Sequence, residues 1–183
     1  MSQADDVTTA FLAEARKTLR RCSGKIVHCL GQLSEDDVNW RPFAGANSVA
    51  NIVTHLCGNV GQWIVSAVGG TPENRDRPGE FARDLRATPA ELIEQLEATV
   101  RAADAAIAGV TPATILSPRK VQGYDETALS AIFHAVTHFE GHTHQVVYIA
   151  RLRLGDRYVF KWVPSTPEQV SGRKSQRRNP KLE

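Results

Sequence analysis

Large apolar residues recur at three- and four-residue intervals over four stretches of this chain, the spacing that gathers them on one side of an α-helix. The first runs from about Val7 to Leu33, with Phe11, Leu12, Ala15, Leu19, Ile26, Val27 and Leu30 on its apolar side, and Gly24 weakening it locally. The second opens at Asn47 or Ser48, either a good N-cap, carries Val49, Ile52, Val53, Leu56, Val60, Trp63 and Ile64, and stops at Gly69-Gly70. The third begins at Thr88-Pro89-Ala90-Glu91, where Thr88 caps and Pro89 takes the first helical position, and continues to Gly109. The fourth spans Asp125 to Arg153 and carries the broadest apolar stripe, from Leu129, Ile132 and Phe133 to Ile149 and Leu152.

Polar, turn-rich segments separate these stretches. Ser34 to Asn47 contains Pro42 and Gly45, and its Trp40 and Phe43 are expected to fold the connection down onto the helices. Thr71 to Thr88 is charged, with Phe81 as its one large anchor, and has the length of a functional mouth or lid. Thr111 to Gly123 leads into the fourth helix, and Tyr158, Val159, Phe160, Trp162 and Val163 are expected to pack across the end. Four long amphipathic helices with short or medium connections predict an all-α four-helix bundle over residues 1–163, with a short irregular C-terminal extension.

Charge and cysteine content narrow the setting. From Pro164 onward five basic residues (Arg173, Lys174, Arg177, Arg178, Lys181) stand against Glu168 and Glu183, giving this end +3 and leaving −1 for the rest of a chain whose net charge is +2. Such a segment reads as a disordered, solubilising tail over 164–183, and a nucleic-acid partner is not expected. Apolar runs are too short for a membrane span, and the N-terminus lacks the basic and apolar regions of a signal peptide. Cys22, Cys29 and Cys57 form no closely spaced metal-type pair, and they read as reduced thiols of a cytoplasmic protein.

The candidate chemistry is concentrated in histidine. Four of the six histidines, His134, His138, His142 and His144, fall within eleven residues of the fourth helix. Positions four apart stack on one helix face, so His138 and His142 can aim a ring nitrogen each at a common point. His134 drifts around the axis and is a poorer ligand, and His144, about 200° from His142, faces elsewhere. Glu140 lies between the pair but points away, so H-F-E-G-H lacks the geometry of the H-E-x-x-H proteases. His55 borders the apolar side of the second helix and is the natural third ligand; Cys57 should point away, and Asn59 is either a supporting or a solvent-facing residue.

The segments NSVANIVTHLCGNVGQW and HAVTHFEGHTHQVVYIARL resemble those of the DinB/YfiT-like metalloenzyme superfamily. That family has a His-Leu on its second helix and a late His-x3-His pair followed by His-x-x-Gln, here His55-Leu56, His138, His142 and Gln145. Asn74-Arg75-Asp76, Glu80-Phe81 and the Trp162/Pro164 ending are similar to a DUF1572-like subgroup; His144, where many relatives have Gly, departs from the pattern. The resemblance implies a four-helix bundle holding zinc or nickel on His55, His138 and His142, and a homodimer. It further implies a metal-dependent transferase or isomerase using a low-molecular-weight thiol; an open three-His site, whose ion can activate a bound water, also allows a hydrolase. The competing reading is a non-catalytic, metal-binding stress-response protein, which a fourth protein ligand from Cys57, His134 or a carboxylate would favour. A DNA-associated role rests on the basic tail alone.

Overall fold

The computed structural model describes residues 3–161. Four long helices make the body: α1 (Gln3–Leu30), α3 (Val49–Val60), α5 (Pro89–Ala108) and α6 (Ala128–Leu154), with two short ones, α2 (Glu35–Asn39) and α4 (Arg77–Glu80), in the connections. Packing follows the order α1–α5–α3–α6 around a square, each long helix meeting two neighbours. Their inward faces close one core in which Leu19, Ile26, Leu56, Leu96, Ile132 and Phe139 are fully buried. This is the four-helix arrangement that the periodicity predicts.

Local chemistry sets where the helices start. Ser34, Ser48, Thr88 and Thr127 each accept from the backbone N–H three residues on, and that residue's side chain returns a contact to the cap. These capping boxes satisfy two otherwise unpaired helix-start donors apiece. α6 therefore begins at Ala128 and not at Asp125, because 124–127 are engaged elsewhere. They form β2 (Tyr124–Thr127), paired antiparallel with β1 (Pro118–Val121), an addition to the all-helical expectation. The two-residue turn Gln122-Gly123 places both residues at positive φ, 54° and 85°, as a type I′ hairpin requires.

The connections are tied down by arginines. Arg153 reaches from α6 to Asp37 of α2 and lies over the Trp40 ring at 4.7 Å, so Trp40 packs as expected. Phe43 does not: it stays 69% exposed, beyond reach of the core. Arg41 holds the two connections together through the carbonyls of Ala46 and Ala82. Tyr158 packs against the core and contacts Cys29 Sγ at 3.7 Å, but Val159 and Phe160 remain exposed. Trp162, Val163 and the basic tail lie outside the described residues. Among the described residues no helix is long and apolar enough to cross a membrane.

Phe139 is the largest fully buried side chain among the described residues, and it sits on α6 between the two histidines of the expected pair. Phe139→Ala is expected to cost about 3–5 kcal/mol. At about 2–4 °C per kcal/mol for a chain of this size, the melting temperature should fall by roughly 6–20 °C in differential scanning calorimetry. A loss under about 1 kcal/mol would mean that the bundle closes around the gap.

Candidate metal centre

His55 projects from α3 and His138 and His142 from consecutive turns of α6. Their ring nitrogens gather within 4.8 Å of one another, and His55 Nε2 lies 2.9 Å from His138 Nε2. Nitrogens sharing one ion at about 2.0–2.1 Å stand roughly 3–3.4 Å apart, so the group can hold a metal ion after small ring rotations. The histidines expected to lie elsewhere do so. His134 stacks on Trp63, centroids 3.9 Å apart at 24°, and His144 is exposed. Glu140 turns to Arg21 of α1 at 2.7 Å, and Cys57 is buried outside the group.

Outer contacts fix which nitrogen faces inward. His55 Nδ1 lies 2.9 Å from Glu80 Oε2, which makes Nδ1–H the donor and leaves the Nε2 lone pair for the centre. His142 Nδ1 meets Gln145 Oε1 at 2.7 Å with the same consequence. Burial holds the His55 imidazole below its ordinary pKa, against the opposing pull of Glu80. Burial, reinforced by the neighbouring histidines and Arg75, pushes His138 down to about 4. Both rings are therefore neutral at pH 7, the state a metal ligand requires.

Glu80 is the residue that periodicity could not find. It enters from α4, in the loop between Thr71 and Thr88, and both its oxygens are occupied: Arg75 Nε donates to Oε1 at 2.6 Å and an Arg75 Nη to Oε2 at 2.8 Å. Both side chains are all but sealed from water. The only sequence signal was the group Arg75, Glu80 and Phe81 itself, whose Phe81 ring lies 4.9 Å from that of His55.

The network continues outward. Arg75 donates a second Nη to Gln62 Oε1 at 2.8 Å, the same oxygen accepts from Gln122 Nε2 of the hairpin turn, and Gln62 Nε2 donates to Glu73. Gln62 and Trp63 lie in a π-helical continuation of α3, Gly61–Ser66, a local rewinding that often accompanies functional sites. Gln122, strained in the left-handed region, thus spends its side chain on the network behind His55.

Beyond the histidines lies a cavity of about 380 Å³, walled by the stacked Trp63 and His134, by Tyr124 and Glu126 of β2, and by Arg77. Asn59 also lines it; it is buried, and its Oδ1 and the Trp63 Nε1–H have no hydrogen-bond partner among the described residues. A second cavity, about 530 Å³, lies across the Arg75–Glu80 pair and includes Cys57. Burial pushes the Cys57 thiol up to about 12, so it stays protonated at neutral pH, and it lies outside the three-histidine group.

Residues 6–166 match the model of the family described as protein of unknown function (DUF1572). The chain belongs to the DUF1572 family. Its fold is that of DinB-like proteins. A crystal structure of a conserved protein from Enterococcus faecalis superposes with a TM-score of 0.66 at 18% identity, over 78% of this chain and 96% of that one. A DinB-like protein from Bacillus cereus ATCC 10987 superposes at 0.58 with 13% identity, over 72% and 85%. No curated protein matches. The DUF1572 match reaches from Asp6 in α1 past Lys161, so both helices that carry the three histidines and the Glu80 loop lie inside it.

Gly58 makes room for this outer shell. A Cβ there would overlap the Glu80 carboxylate and sit 3.2 Å from Arg75 Nε. Gly58→Ala, a change that elsewhere in a helix stabilises, is expected to displace Glu80 and cost about 1–3 kcal/mol. Metal affinity, read by competition with a chromogenic chelator, should weaken by about 10–100-fold with His55 no longer oriented. A more stable variant with unchanged affinity would show that Glu80 does not need its present place.

Proposed function

We propose that this chain is a divalent-metal-dependent enzyme that holds zinc or nickel on His55, His138 and His142 and acts on a small molecule in the cavity beside them. The observation that carries this reading is the convergence of three imidazoles, two with the inward lone pair set by Glu80 and Gln145. When bound, a divalent ion on three neutral ligands keeps its +2 charge and an open coordination position, enough to bring the pKa of a bound water or thiol toward neutrality. The chain's own residues do the rest. Glu80 and Gln145 hold the ligand rings, the stacked Trp63 and His134 form one wall of the cavity, and Arg77 and Glu126 offer opposite charges to a substrate.

A low-molecular-weight thiol is the proposed co-substrate, in a transferase or isomerase reaction; hydrolysis is the alternative use of the same site. The resemblance to the DinB/YfiT-like enzymes supports the thiol. Three free, buried cysteines support a reducing, cytoplasmic setting. A purely structural ion is disfavoured, because structural zinc normally takes four protein ligands and no fourth joins the group among the described residues.

Cobalt substitution tests the thiol reading. Adding a small thiol to the cobalt-loaded chain should produce a thiolate-to-cobalt charge-transfer band in the near ultraviolet, absent from His138→Ala. A cobalt spectrum that no thiol alters would remove thiol chemistry and leave hydrolysis.

A further inference from the structure

Behind α6, away from the metal ligands, the last described residues cross back over α1 and are fastened there. Tyr158 Oη lies 3.7 Å from Cys29 Sγ, and Val159 N–H donates to Gln32 Oε1 at 2.7 Å. The Val159 carbonyl accepts from His28 Nε2 at 2.7 Å, and Lys161 Nζ donates to the Gly24 carbonyl at 2.6 Å. Between this segment, α1 and the second half of α6 lies a cavity of about 790 Å³, whose surface is mostly apolar. Val147, Tyr158 and Phe160 supply its apolar side chains. The Phe160 ring is set edge-on to Tyr158, centroids 5.2 Å apart, and the Arg151 guanidinium lies over it at 5.0 Å.

The polar part of the lining is positive. Arg20, Arg21, Lys25 and Lys161 contribute to it, with His28 and His144, and no carboxylate does among the described residues. Arg20 and Arg21 are matched from outside the cavity by Asp104 and Glu140, at 2.6 Å and 2.7 Å. The two lysines are not. Lys161 meets a carbonyl, which leaves its charge uncompensated. Lys25 is half-buried and has no hydrogen-bond or ion-pair partner among the described residues. Two ammonium groups without a counter-charge, beside an apolar cavity of ligand size, complement a molecule with a negative head and an apolar body. The chain's own basic end suits the place poorly, since it carries +3 from Pro164 onward.

We propose that this cavity binds a fatty carboxylate, with the acyl chain against Val147, Tyr158 and Phe160 and the carboxylate on Lys25 and Lys161. The site is separate from the metal centre. His144 lines it, whereas His142, two residues earlier, belongs to the three-histidine group. The proposal therefore does not rest on the metal reading.

Isothermal titration of the full chain with monomeric decanoate should show one site per chain. Decanol, which has the chain without the charge, should bind about 10–100-fold more weakly, and acetate not detectably. Shortening the ligand to octanoate should cost roughly 10-fold, the contribution of two buried methylenes. Lys25→Ala should weaken decanoate by about 10–100-fold and Lys25→Glu should abolish its binding, both with unchanged helical circular dichroism. The metal-stripped chain and His138→Ala should bind decanoate as the parent does. A parent that takes up no decanoate would overturn the proposal, as would a Lys25→Ala chain that binds like the parent. Loss of binding with the metal would place the carboxylate on the ion and overturn it equally. Two further results count against it. Binding that appears only after truncation behind Lys161 would show residues 162–183 filling the cavity. Capture by phosphatidylglycerol vesicles without uptake of monomeric decanoate would assign the patch to a membrane surface.

Discussion

Glu80→Ala is expected to lower stability by about 3–5 kcal/mol and to weaken metal binding by about 10–100-fold in one step. The first effect comes from Arg75. Its side chain is 3% exposed and its guanidinium spends two donors on Glu80, so truncating the acid strands a buried positive charge. Gln62 remains as a partner for only one Nη. The second effect comes from His55, whose Nδ1–H loses the acceptor that fixes the ring. Calorimetry should show a melting temperature lower by roughly 6–20 °C. Removing Arg75 as well should restore part of that stability, because the stranded charge goes with it, but should not restore metal affinity, because His55 is still unsupported. If the single variant melts within about 1 °C of the parent, the pair is not the strut that its burial implies. If the double variant regains both properties, Arg75 and not Glu80 governs the ring.

His55→Ala, His138→Ala and His142→Ala should each lose the ion outright. Mass spectrometry on protein purified without a tag should find about one ion per parent chain and none in the variants, a larger effect than the loss of any outer contact. The variants should keep their helical circular dichroism, since the core on either side is built from Leu56, Ile132 and Phe139. A folded parent that takes up neither zinc nor nickel would end the metal reading. The pH profile gives a second check. His138 is pushed down to about 4 from an ordinary value near 6.5. Unfolded chains bind this proton first as pH falls below about 6.5, whereas the folded ring accepts it only near 4. The metal-free protein should therefore lose stability across that window, and His138→Ala should flatten the slope.

How legible all this was depended on the kind of information each feature carries. Helix existence and the inward faces were written as local periodicity, and caps at Ser48 and Thr88 as local side-chain chemistry, so a reading along the chain reached them. The pairing of His138 with His142 was equally local, one helical turn, and His55 followed from its place beside the apolar stripe of the second helix. Phe43 departs from expectation for the opposite reason: an aromatic residue in a connection has no periodic partner to say whether a core lies beneath it. The hairpin is not legible along the chain because Gln122-Gly123 lacks the Asn-Gly or Asp-Gly signal, and its Gln side chain instead makes a contact sixty residues away.

By itself, then, the sequence determined four amphipathic helices, the capped starts of the second and third, and the His138–His142 pair, since each follows from spacing within a few turns. Only the tertiary structure decided that Glu80 crosses from a loop to hold His55, that Arg75, Gln62 and Gln122 brace it, and that Gly58 clears the space. Those contacts join residues 5 to 60 positions apart, and no periodicity encodes a hydrogen bond between segments that only the packed bundle brings together.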